Sequence, residues 1–253
     1  MQVTFLGHSG FYVELPEANL LFDYYIGELP KPDPEKPLYV FVSHAHADHF
    51  SRDIFRLPEG RAQADTFFVL SDDIPKRARP SFSGPSAEGN VAGRTEVLYL
   101  KPLEDRTISG LRVRTLPSTD EGVAFLVDAP AARIYHAGDL NRWHWEEENE
   151  EDRLFNLDQQ KRYAEAMERL AGMVREDGRQ IDLAFVPLDN RLKEPGCWYG
   201  IEEFQEAAGA RYLFPMHLFG DPGIIERLKE RSAADAWKDR VLGSGKPGER
   251  FLL

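Results

Sequence analysis

The chain has 253 residues, 42% of them hydrophobic and 29% charged, enough to bury a large core as one domain or as two fused halves. Its formal charge of −12, from 31 basic and 43 acidic residues, opposes nonspecific binding to nucleic acid and to anionic membrane. No apolar run approaches the roughly 18 residues that a membrane-spanning helix needs.

Residues 1–6 run straight into a strand pattern, without the basic and then apolar leader of a signal peptide. Cys197 is the only cysteine, so an intramolecular disulfide is excluded and a reducing cytoplasm is the expected location. Residues 3–15 read as strand, tight turn and strand. His8 sits in that turn, either orienting a ligand nearby or serving as a polar turn residue. A short strand over 19–23 ends in Asp23, a carboxylate that could orient a metal-bound histidine. Residues 24–37 are a proline-rich connection.

The run Leu38–Val42 reads as a buried strand. It leads into FVSHAHADHF at 41–50, which packs three histidines and one aspartate into six consecutive positions. Alternate residues of an extended segment share a side, so His44 and His46 face one way, and a tighter loop would swing Asp48 and His49 round beside them. Imidazole nitrogen and carboxylate oxygen without thiolate are the ligands of a hydrolytic zinc site that keeps a water position open. The small alanines between them leave room for an ion.

Further on, 52–57 can form a short helix and 66–70 a strand. The stretch 71–94, rich in Ser, Gly, Pro and Arg, is long enough for a lid or binding loop. Its Lys76, Arg77 and Arg79 would suit an anionic substrate, or the stretch is a solvated excursion. Strands are expected at 96–100, 107–108 and 111–116, and a hairpin at 123–128 and 133–136. The second hairpin strand delivers Asp139, in YHAGDLN. His136 is expected to face the sheet. His144, between Trp143 and Trp145, reads as a substrate-binding residue in a pocket wall, and 146–152 as a solvated acidic loop. An amphipathic helix over 158–176 carries Tyr163, Met167, Leu170 and Val174 on one face. A buried strand at 181–187 then supplies Asp189 and Arg191, the latter a candidate partner for a substrate anion. A helix from Ile201 should stop near Gly209, a strand over 211–215 ends in Met216 and His217, and Asp221 and Pro222 open a last helix reaching about Trp237.

HAHADH matches the HxHxDH signature of the metallo-β-lactamase superfamily. VTFLGHSGFYVEL, YHAGDLN and FPMHLFGD resemble that superfamily's first strand, bridging-aspartate motif and last-histidine motif, in the same order. The style is that of the small, stand-alone branch that includes ascorbate-phosphate lactonase-like proteins. The resemblance implies a single domain over 1–253 with a four-layer αββα sandwich of two mixed β-sheets. It also implies two metal positions, one using Asp48, His49, Asp139 and His217, the other His44, His46 and Asp139. The superfamily's third histidine for the latter position is absent, because the chain reads PSTDEG at 117–122; Asp120 is the best substitute, a carboxylate being able to ligate zinc at a similar distance, with Glu121 and Ser118 as the other candidates.

Resemblance and ligand chemistry together imply a hydrolase of a small, anionic ester, lactone, amide or phosphodiester that uses a metal-bound hydroxide, with Asp48 and Asp139 as catalytic residues. One or two Zn2+ ions are expected, Mn2+ or Fe2+ being the alternatives. The scaffold by itself leaves the substrate open, and the oligomeric state is not readable. A metal-binding sensor without turnover is the other reading. A nuclease ranks lower because the chain is acidic, and a di-iron oxygen-active protein would carry Glu at the place of His46.

Overall fold

Every apolar, β-branched or aromatic run expected to be a strand becomes one. The computed structural model describes residues 1–58, 64–78 and 93–253; Arg79 and most of the expected binding loop lie outside them. The chain forms two compact units, Met1–Lys101 with Pro247–Leu253, and Pro102–Lys246.

The first unit lays down β1 (Gln2–Gly7), β2 (Gly10–Glu14), β3 (Asn19–Phe22), β4 (Leu38–Val42), β5 (Thr66–Ser71) and β6 (Thr95–Leu100) in sequential spatial order. The first three pair antiparallel, and β3 to β6 pair parallel. Strands β3, β4 and β5 are buried at every residue, as expected of parallel strands covered on both faces. Tyr12, Leu21, Val40, Phe68 and Leu70 join one core cluster, each such side chain contributing roughly 1.5–3 kcal/mol by burial. The connection after β3 lies directly on β1. A Cβ at Gly27 would sit 2.1 Å from the Leu6 carbonyl oxygen, so only glycine fits there. Because β3 and β4 run parallel, with Phe22 opposite Phe41, the residues just past their ends emerge side by side. Those residues are Asp23 and Ser43.

The second unit has β7 (Asp105–Ile108), β8 (Leu111–Pro117), β9 (Val123–Asp128), β10 (Arg133–His136), β11 (Ile181–Pro187) and β12 (Ala210–Met216), again in sequential order. Pairing is antiparallel from β7 to β10 and parallel from β10 to β12. Helix α1 (Glu150–Asp177) buries Tyr163, Met167 and Leu170, the expected stripe, while Val174 is half-buried. It starts earlier than expected. Asn149 caps it by accepting the backbone N–H groups of Glu151 and Asp152, and the acidic residues 150–152, expected to be loop, favour the positive helix end. Helix α2 (Gly196–Ala207) likewise begins before Ile201.

The last helix is much shorter than expected. Helix α3 (Ile224–Lys229) buries Ile224, Ile225 and Leu228, and short 3-10 turns follow at Ser232–Ala234 and Lys238–Arg240. The apolar spacing breaks at Arg231 and Ser232, so no continuous stripe holds an α-helix as far as Trp237. The chain closes with β13 (Arg250–Leu252), antiparallel to β1 in the first unit, a strand too short for its pattern to announce.

Candidate metal centre

In the first unit the HAHADH loop curls instead of running on as a strand. The His46 carbonyl accepts the backbone N–H of both His49 (3.1 Å) and Phe50 (2.9 Å), and Asp73 accepts the Ala45 N–H at 3.0 Å. This turn brings Asp48 and His49 back toward the strand end. The His44 ring packs 4.6 Å from His46 and 4.1 Å from His49, between centroids. Donor atoms of His8, Asp48 and His49 lie within 4.8 Å of one another, as do those of His44 and His46.

Asp23 organises this cluster. It is buried, and its φ of 41° is left-handed, a strained conformation for a residue with a side chain. One carboxylate oxygen accepts the Ser43 backbone N–H at 2.7 Å, and the other accepts the Ser43 hydroxyl at 2.6 Å and lies 2.7 Å from His49 Nδ1. A carboxylate only accepts, so His49 carries its proton on Nδ1, and Nε2 is the nitrogen that could take an ion. The Ser43 hydroxyl has spent its proton on Asp23, so at 2.9 Å from His44 Nδ1 it must accept there, which fixes His44 in the same tautomer. One carboxylate thus sets two imidazoles. His8, also left-handed at φ 53°, stands with Nε2 3.4 Å from the Asp48 carboxylate and its ring edge-on to His49, so it is a neighbour of this cluster and not merely a turn residue.

In the second unit, β10 ends in a turn whose Gly138 N–H is accepted by His136 Nδ1 at 3.1 Å. His136 is fully buried, a brace for the loop that presents Asp139. Trp143 Nε1 donates to the Asp139 carbonyl at 3.1 Å, and its ring meets His217 edge-on. His217 leaves β12 with φ 64°; its Nε2 is 3.4 Å from Asp139 Oδ1, and its Nδ1 is 3.0 Å from Asp189 Oδ2. The arrangement repeats that of Asp23 and His49. Burial works against the Asp189 carboxylate, but the hydrogen bonds from His217 and Arg191 outweigh it and hold the carboxyl below the ordinary aspartate range.

Arg191 is committed to that carboxylate, with Nε 3.0 Å from Oδ1 and Nη2 2.6 Å from Oδ2, and its guanidinium lies 3.5 Å over the Phe219 ring. It therefore supports the His217 carboxylate in addition to any contact with substrate. His144 meets the Tyr199 ring edge-on and lines a cleft of about 320 Å³ with Trp145, Leu192 and Pro195. Burial, helped by the charge of Arg142, lowers its pKa, favouring the neutral ring. Asp120 is exposed on the turn after β8, with its N–H on Ser118 Oγ. Thr119 is buried instead; its hydroxyl donates to the Asn141 carbonyl at 2.6 Å and accepts the Asn141 N–H at 3.1 Å, securing the loop after Asp139. Burial, reinforced by Glu194, pushes the Cys197 thiol up to about 11, far from a thiolate nucleophile at neutral pH.

Sequence reasoning singled out each of the clustered histidines and the carboxylates Asp48 and Asp139 but gave no role to Asp189, Ser43 or Thr119. For Asp189 the sequence offered only its place at the end of a buried apolar strand; the pairing of Pro187 with Met216, the residue before His217, arises only in the fold. The donor sets fit a divalent ion, for they are imidazoles and carboxylates without thiolate, and three imidazoles have Nδ1 held by an oxygen.

The model of the family described as Beta-lactamase superfamily domain matches residues 2–155. UPF0173 metal-dependent hydrolases from Opitutus terrae and Desulforamulus reducens are 49% identical over 145 residues and 37% over 144. Each alignment covers 55% of this chain, and 63% and 62% of those relatives, so the chain spans less than two thirds of their length. Solved structures of a metallo hydrolase from Ignicoccus hospitalis and of the metallo-beta-lactamase fold protein YhfI from Bacillus subtilis match with TM-scores of 0.62 and 0.61, each at 16% identity. They cover 100% and 99% of this chain, and 98% and 99% of their own. At that identity the likeness carries the fold, and the two mixed sheets with their helices fit the αββα sandwich. A family model matching well over half of the sequence and the shared architecture agree: the chain belongs to the beta-lactamase superfamily and has the metallo-β-lactamase fold.

Proposed function

We propose that this chain is a metal-dependent hydrolase of a small, anionic ester, lactone, amide or phosphodiester, working in the cytoplasm with zinc, or with Mn2+ or Fe2+ in its place. In this reading the two units act as one domain. His44, His46 and Asp139 hold one ion, with Asp120 as the candidate for the remaining place, and Asp48, His49, Asp139 and His217 hold the other. The single observation that carries the reading is the repeated carboxylate-to-imidazole contact, Asp23 on His49 at 2.7 Å and Asp189 on His217 at 3.0 Å. An oxygen acceptor on Nδ1 is what a metal-binding histidine requires.

Divalent ions bound there would supply Lewis acidity and lower the pKa of water to about 7. The residues of the chain supply the rest. Asp48 accepts a hydrogen bond from the attacking water and aims it, with His8 3.4 Å from the carboxylate. Asp139 is held by the turn that His136 braces. Arg191 and His144 offer the substrate a guanidinium and a neutral imidazole. Cys197, its thiol kept protonated, takes no part.

The test is elemental analysis of protein purified without added metal, followed by a panel of ester, lactone, amide and phosphodiester substrates. Turnover that vanishes on chelation and returns with zinc or manganese is expected. Equal hydrolysis by metal-free protein would end the reading. Bound metal with no turnover of any class would favour the sensor, which the lack of a histidine between positions 117 and 122 keeps in view.

A further inference from the structure

The sheet of the second unit has a second end. Its parallel strands β11 and β12 run toward Asp189 and His217, while their starting residues, Ile181 and Ala210, are paired at the opposite end. A recess of about 320 Å³ opens there, lined by Gln180, Ile181, Gln205, Gly209, Arg211 and Arg240 together with small alanines. Seven residues per strand at about 3.3 Å each put it on the order of 20 Å from the ligands, too far to serve one small substrate jointly with them.

The charge of this recess runs against the rest of the chain. The protein carries −12 overall, yet the recess is lined by two arginines and no acidic residue. Both arginines line the recess because Val241 bridges parallel to Leu213 of β12, which carries Arg240 along the strand that bears Arg211. Among the described residues neither arginine has an ion-pair partner; Arg211 lies only over the Tyr212 ring, at 5.3 Å. By contrast Arg112, Arg114, Arg133, Arg153, Arg191 and Arg227 each sit on a carboxylate. Two exposed like charges lining one space with no acidic residue in the lining make it locally positive and favour an anion there.

A neutral donor adds to them. Gln205 lines the recess, and its Nε2 is buried without a hydrogen-bond partner among the described residues, which is costly unless something supplies an acceptor. The C-terminus of α2 points a partial negative charge of about half a unit toward the same place. Two full positive charges outweigh it.

We infer that this recess binds a phosphate group, held by Arg211 and Arg240 with the Gln205 amide as third donor. Paired arginine forks suit the tetrahedral oxygens of phosphate. The source is either free inorganic phosphate or the phosphoryl end of a small metabolite, and the site is separate from the hydrolytic centre.

Isothermal titration of the full chain with inorganic phosphate and, separately, with glucose 6-phosphate tests this. The controls are His217→Ala, which removes anion binding at metal, and Arg175→Gln, which removes an exposed charge elsewhere. Binding should survive both controls, weaken as salt rises, and fall at least tenfold in the double variant Arg211→Gln/Arg240→Gln, whose thermal melt should stay unchanged. Gln205→Leu should weaken it less. Tighter binding of glucose 6-phosphate than of phosphate would identify the metabolite form, and the reverse the free ion. Undiminished binding by the double variant, complete loss in His217→Ala, or no saturable binding of either probe to the unmodified chain would overturn the inference.

Discussion

In the first unit the donors come from one curled loop after one strand, and a single buried carboxylate, Asp23, sets His44 and His49 together through Ser43. In the second unit Asp139, Asp189 and His217 are far apart in the sequence and meet only because β10, β11 and β12 lie parallel and end on the same side. The first cluster is built by local chain geometry, the second by strand register. Both contain the same contact, an oxygen on imidazole Nδ1, reached by different routes of the chain.

The comparison breaks most sharply if one half proves dispensable. Asp48→Ala in the first unit and His217→Ala in the second should each strip metal strongly, measured by elemental analysis. Unchanged stoichiometry in either variant would remove that unit from the centre.

The asymmetry of the two supporting carboxylates predicts a smaller, graded effect. Replacement of a carboxylate behind a metal-bound histidine costs roughly 10- to 100-fold in affinity or activity. Asp23→Asn should stand at the upper end because it serves two histidines, and Asp189→Asn at the lower end because it serves one. Equal losses, read by metal titration, would mean that Ser43 does not relay Asp23 to His44.

Acid should separate the scaffold of the second unit from its site. Arg133 is buried and paired with Asp177 at 2.6 Å, and these hydrogen bonds hold the Asp177 carboxyl well below the ordinary aspartate range. A depressed folded-state pKa stabilises at pH values above the unfolded value of about 4, and that stability is lost as the pH falls below it, when protonation leaves Arg133 with a weakened partner. Thermal melts of Asp177→Asn should therefore lie below those of the unmodified chain at neutral pH and converge with them under acid. A constant gap down to the lowest accessible pH would refute this account.

The smallest effect is expected at Asp120. Its carboxylate is exposed, so as a ligand of the first metal it would be a weak one, and Asp120→Asn should lower occupancy of one ion while sparing the other. Full occupancy of both ions in that variant would remove it from the set.

Local pattern made much of this legible. Strands β1 to β12 follow from apolar runs, because burial demands such runs whichever strand lies alongside. HAHADH is readable because ligands within six positions need only one turn to meet. Helix α1 begins eight residues before the expected start at 158 because capping by Asn149 and the helix field favour an acidic first turn, and neither leaves an apolar period. Arg191 reads as a cation for substrate, and the fold adds a second role by setting its guanidinium on Asp189, which no local pattern indicates.

The amino-acid sequence by itself thus determined which segments would be strands, which residues could donate to a metal, and that no thiolate would be among them, since side-chain chemistry and apolar period are properties of the letters. Tertiary structure alone decided which nitrogen of each histidine remains to bind, that Asp189 rather than a nearer residue stands behind His217, and that Arg211 and Arg240 share one recess. Those outcomes depend on which strand ends become neighbours, and strand pairing is set by burial summed over whole sheets, which no short stretch of the chain encodes.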